Sequence, residues 1–181
     1  MEVREAQREV RSVFIGGSVG QVVSGLVWLL SVALASWSSD RAGIMALILG
    51  GTFIFLLTQL ALRLVGQKAA LSKGNPFSQL AIQIAFIVPF CYPVIAAAAM
   101  QNLNWFYPAF LVVVGAHYLP FLTLYGMPHY AVLSALLIGG GVVIGLSFPE
   151  SFTLGGWYGG LVLVLFGLGI WLWMRGRRGA G

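Results

Sequence analysis

Residues 80–125 read LAIQIAFIVPFCYPVIAAAAMQNLNWFYPAFLVVVGAHYLPFLTLY, without one Asp, Glu, Lys or Arg. A continuous apolar run is not the pattern of a membrane barrel, whose strands alternate in segments of about ten residues. As a single helix rising ~1.5 Å per residue it would be about twice as long as a ~30 Å hydrocarbon core requires. Gln101, Asn102 and Asn104 interrupt it near its middle. The stretch therefore reads as two spans, about 80–100 and 103–125, folded back as a tight antiparallel pair.

The same reading finds apolar segments at about 13–37, 42–66, 129–148 and 153–174. Composition agrees with that count. The chain has 181 residues, 59% hydrophobic and only 8% charged, with mean hydropathy +0.92, whereas soluble domains carry about 25% charged residues. The fold class is all-α: a polytopic membrane protein, a six-transmembrane-helix bundle forming one integral membrane domain over 1–181. Six spans leave no room for a soluble catalytic or nucleotide-binding domain, and enzyme chemistry is not expected.

Charge gives the orientation. With six spans, both ends share one side with the connections around 67–79 and 126–128. That side collects Arg4, Arg8, Arg11, Arg63, Lys68, Lys73, Arg175, Arg177 and Arg178, nine of the ten basic residues. Basic residues near span ends stay cytoplasmic, so a bacterial or archaeal plasma membrane with both termini inside is expected. Trp37, Trp105, Tyr107, Trp157 and Tyr158 fall at the outer span ends, and Tyr125, Tyr130, Trp171 and Trp173 at the inner ends. They read as two interfacial belts. The formal charge of +5 forms no basic stripe with interleaved aromatics, so the lipid bilayer is the expected partner and nucleic acid is not.

The ends and connections are short. Glu2, Glu5 and Glu9 alternate with Arg4, Arg8 and Arg11, unlike the purely basic start of a cleavable secretory signal. Residues 1–12 read as a helical extension of the first span, with Val3, Val10 and Phe14 near one face. In Lys73–Phe77 (KGNPF), Gly74-Asn75-Pro76 signals a turn, and Ser78 reads as the cap of the third span. Cys91 lies alone in an apolar segment, which excludes an intrachain disulfide.

Small residues recur at four-residue spacing: Gly16, Gly20 and Ser24 on the first span, Gly141 and Gly145 on the fifth, Gly156 and Gly160 on the sixth. Such stripes permit close backbone approach in lipid. They serve either tight packing within one bundle or a dimerising face, which leaves a homo-oligomer or a membrane partner open. Pro89 and Pro93 break the third span and Pro108 and Pro120 mark the fourth. No matching interruption in the sixth indicates the inverted repeat common in transporters.

No Asp or Glu lies within a span, and no CxxC, HExxH or paired-carboxylate pattern occurs, so no catalytic residue, metal site or cofactor is assigned. What remains is neutral polarity. Gln21, Gln59, Gln83, His117 and Ser134 come from five spans, all in the half nearest the termini. One reading gathers them into a single polar pocket, extended toward the edge by Arg63, which lies at i,i+4 from Gln59. The other pairs each locally with a neighbouring helix. His117 is expected to be a neutral imidazole donating to a carbonyl, such as that freed by Pro120.

The motifs KGNPF (Lys73–Phe77) and GAHYLPF (Gly115–Phe121), with the order of spans around them, resemble an uncharacterised bacterial multi-span membrane family, a domain of unknown function, over about residues 10–150. The resemblance implies a compact helical membrane protein with His117, Tyr118 and Pro120 as a recurring element. It implies no activity. Three function classes follow: a permease or channel for a small neutral solute, a non-catalytic scaffold packing through glycine-rich faces, or, least supported, a membrane enzyme or lipid-binding protein using His117.

Overall fold

A computed structural model describes residues 1–67 and 70–178; Lys68 lies outside the described residues, as do the side chains of Arg177 and Arg178. The described chain is helical without strands. It comprises α1 (Val3–Val13), α2 (Ser18–Trp37), α3 (Asp40–Leu64), α4 (Phe77–Phe90), α5 (Tyr92–Gln101), α6 (Phe106–His117), α7 (Pro120–Tyr125), α8 (His129–Ser147) and α9 (Leu154–Arg178). Six segments are long and apolar enough to cross a membrane: Ile15–Trp37, Asp40–Leu64, Phe77–Gln101, Leu103–Tyr125, His129–Ser147 and Leu154–Gly176.

Two spans are broken, each where proline removes a backbone donor. The third divides at Cys91, between α4 and α5, with Pro89 before the break and Pro93 after it. The fourth divides at Tyr118–Leu119, just before Pro120, so His117 ends α6 at the break.

The first span is not a simple continuation of the terminal helix. Ile15 (φ 51°), Gly16 (φ 61°) and Gly17 (φ 82°) run consecutively through the left-handed region and separate α1 from α2. Glycine tolerates this conformation; a β-branched isoleucine there is strained. The turn is held in place by its hydrogen bonds. Ser18 Oγ donates to Ile15 O at 2.8 Å, and the Tyr130 hydroxyl donates to Gly16 O at 2.6 Å. Gly16 thus belongs to a turn, with Ile170 of the last span 3.1 Å from where its Cβ would stand.

Past this turn α1 lies against the bundle end. Ala6 and Val10 are fully buried, whereas Val3 is exposed, so Val3 is not on the packed face as the sequence spacing implied. Gln7 Nε2 donates to Thr123 O at 2.7 Å and Arg11 to Tyr125 O, at the end of the fourth span. Glu9 takes hydrogen bonds from Ser72 N, from Ser72 Oγ at 3.0 Å and from Asn75 Nδ2 at 2.9 Å. The Ser72 backbone N–H, then the Asn75 amide, hold the Glu9 carboxyl below the usual carboxylate range. Asn75 Oδ1 also accepts from Phe77 N at 2.9 Å. Asn75 thus makes an Asx turn just ahead of the third span; the N-cap position is Pro76, without a side-chain cap, and Ser78 lies inside α4, because the helix starts at Phe77.

Packing runs round an interrupted circle. The first span lies between the second and the sixth, the fifth between the sixth and the fourth, and the third rests on the fourth. Spans two and three meet only slightly. Glycines permit the close crossings: a Cβ would stand 2.7 Å from Val32 Cβ at Gly156, 2.7 Å from Leu29 Cδ2 at Gly160 and 2.7 Å from Pro108 O at Gly141. Gly145 lies against Pro108, and Gly20 faces Thr58 at an ordinary 3.6 Å.

Several residues read as interfacial are core instead. Tyr107, Tyr125 and Tyr130 are buried. The Tyr107 hydroxyl bonds Ser31 Oγ at 2.7 Å, and Tyr130 stacks on Tyr125 at 5.3 Å and on Tyr118 at 6.0 Å. Partners for their hydroxyls inside the bundle let Tyr107 and Tyr130 leave the headgroup layer.

Candidate functional site

A cavity of about 200 Å³ lies between the first four spans, in the half of the bundle nearer the termini. Its back wall is α2 with α6 and α7, and its sides are α3 and α4. On α4 the wall residues are Ala81, Ile84, Ala85, Val88 and Pro89, one stripe at helical i, i+3, i+4, i+7, i+8 spacing. Trp28 at the deep end meets Phe110 edge-on at 5.5 Å. The lining is mainly apolar, and among the described residues no charged side chain belongs to it.

Of the six residues picked out as a polar pocket, Gln21, Gln59 and His117 line this cavity. The other three do not. Gln83 is exposed, because it lies about 100° round α4 from the buried Ile84 and so off the cavity stripe. Ser134 is buried on the far side of α6, where its hydroxyl donates to Gly115 O at 2.7 Å. Arg63 is exposed beyond Leu62, the last cavity residue of α3.

Gln21 is 1% exposed and its orientation is fixed by chemistry. Tyr130 gives its one hydroxyl proton to Gly16 O, so it must accept from Gln21, whose Nε2 stands 3.0 Å away. That leaves Gln21 Oε1, which has no partner. The His117 ring faces the Ile84 carbonyl on the neighbouring span, and the carbonyl freed by Pro120 is not a partner of its ring among the described residues. Its Nδ1 is buried and has no partner. Thr58 Oγ1, on α3, is the third unpaired polar atom on the cavity wall. Buried polar groups are nearly always paired, so three such atoms around one space point to something that fills it.

The sequence reading missed Thr58, Ser24 and the tyrosine cluster. Ser24 meets the Tyr118 hydroxyl, and Tyr118, Phe121 and Tyr125 form one aromatic wall with Tyr130 behind it. Their i, i+3, i+7 spacing inside and just after the GAHYLPF motif was the available signal.

Comparison with curated proteins found no match, and neither did comparison with solved structures. The family described as "Family of unknown function (DUF7010)" matches residues 3–175, from α1 to the last turns of α9. With nearly the whole chain covered, including the cavity wall and both motifs that carried the resemblance, this six-span membrane protein belongs to DUF7010.

Proposed function

We propose that the protein is a permease or channel-like carrier of a small neutral solute, held in the cavity between the first four spans. One observation carries the reading: Gln21 Oε1, Thr58 Oγ1 and His117 Nδ1 come from three spans onto one mainly apolar space and have no partner among the described residues. Leaving a buried polar group unpaired costs about 1–3 kcal/mol, which a hydrogen-bonding solute offsets. The absence of charged residues from the wall favours a neutral one. The broken third and fourth spans supply hinges beside the site. A scaffold acting through glycine faces draws less support, because Gly141, Gly156 and Gly160 are occupied by the protein's own helices.

The test is flux into proteoliposomes of a panel of neutral compounds, from glycerol and urea to medium-chain monoacylglycerols. At least one enters faster than into empty vesicles. Losing one hydrogen bond worth ~1.5 kcal/mol, the His117→Ala variant is about tenfold slower. If every compound crosses no faster than in protein-free vesicles, the carrier reading is wrong.

A further inference from the structure

The incomplete circle of helices has its gap between spans two and three, and residues from both sides of that gap line the cavity. A second cavity of about 250 Å³ lies further along it, toward the opposite membrane face, lined by residues such as Ile44, Ile48, Ile95, Ala99 and Phe106. Phe110 belongs to both walls. Between the two spaces Tyr92 reaches across from span three, its hydroxyl 3.3 Å from Ile48 O and 3.4 Å from Thr52 Oγ1. Both bonds are long, and the tyrosine is half-buried. It is a single rotatable side chain between two spaces.

The chemistry of the two spaces differs. The second is almost wholly apolar. The first ends in polar groups without partners among the described residues: Gln21 Oε1 can only accept, and His117 Nδ1 gives or takes according to its tautomer. Thr58 Oγ1 can give or take. A ligand satisfying this end carries at least one O–H or N–H donor, for Gln21 Oε1, a further polar group for Thr58 and His117, and no charge. Along α3, Thr58 and Ile44 are about 20 Å apart at ~1.5 Å per residue, the reach of a long extended hydrocarbon chain.

We infer that the gap between spans two and three binds a neutral single-chain amphiphile entering sideways from the bilayer, its diol or amide head on Gln21, Thr58 and His117 and its tail running past Tyr92 into the second cavity. This rests on the carrier reading for the identity of the solute, yet it concerns occupancy and is measured without flux.

The full chain in lipid nanodiscs is photolabelled with a 1-monoacylglycerol bearing a diazirine at the end of its chain, and adducts are mapped by peptide mass spectrometry. Adducts concentrate on residues 44–52 and 92–99. Unlabelled 1-monoolein competes for them, whereas oleate at a pH where it is ionised does not. Thr58→Val lowers them several-fold, and Ala99→Phe, which fills the second cavity and leaves the polar end intact, abolishes the tail adducts while the elution profile and melting temperature stay as in the parent. Even labelling of the lipid-facing positions Leu30, Leu56 and Val143, insensitive to both variants, overturns the inference, as does equal competition by ionised oleate. Seam labelling without any flux leaves the binding site standing and removes the carrier; glycerol or urea flux without seam labelling does the reverse.

Discussion

A methyl group on Gly17 would lie 2.2 Å from the Tyr130 hydroxyl oxygen and 3.2 Å from Tyr125, in a residue whose φ is already +82°. Gly17→Ala therefore meets two penalties: the left-handed conformation, worth roughly 1–2 kcal/mol, and displacement of the hydroxyl that links Gln21 to Gly16. We expect a stability loss of about 2 kcal/mol or more, read as a lower melting temperature in detergent, with Gly139→Ala, which meets nothing within 4 Å, as the silent control. The same neighbourhood marks the limit of what the sequence revealed about the site. Gln21, Gln59 and His117 were visible because a polar side chain in an apolar run stands out, and counting from span ends gave their depth. Gln83 was grouped with them because depth alone was read; the stripe Ala81, Ile84, Ala85 and Val88 turns it away from the cavity. Tyr130 resembles a belt residue in sequence, since its hydroxyl's acceptor, Gly16 O, lies far away in the chain.

Helix α1 is anchored at both flanks, to the fourth span through Gln7 and Arg11 and to the connection before the third span through Glu9. It thus lies against the ends of spans three and four nearest the termini. The Glu9 carboxyl is held below its free value, so the attachment is complete above the ordinary carboxylate range near ~4.3 and is lost as the pH falls through the lowered value. The hydrogen-exchange protection factors of residues 70–75, the observed rates divided into the intrinsic rate at each pH, should fall over that acid range in the parent. In Glu9→Gln protection should be low already at pH 7 and nearly independent of pH; unchanged high protection in the variant would exclude the attachment. The turn at Asn75-Pro76 was legible because proline and asparagine have local rules. The break between α1 and α2 was not, since a Gly-Gly pair in an apolar run reads equally as helix packing, and the left-handed Ile15 beside it has no local cause.

Six spans place both described ends of the chain and the 70–76 connection on one side, with residues 38–39 and 148–153 on the other. From the distribution of arginine and lysine we propose that the first side faces the cytoplasm. Reporter fusions test it: a phosphatase that folds only after export should be active when inserted at residues 38–39 and inactive at 70–76, and the opposite pattern would reverse the orientation. The number of spans was readable because hydrophobic length is a property of each segment alone. Their arrangement was not, because which helix lies beside which depends on contacts between residues far apart in the chain. The tightest of these join α2 to α9, the first span to the last. That pairing sets an order of assembly during translation. Val32, and the part of Trp28 that Tyr107 and Phe110 leave uncovered, lack their covering until the ribosome has made Gly156 and Gly159, which pack on them, so a transcript stopped ahead of the sixth span should yield an open, protease-sensitive product rather than a smaller stable one.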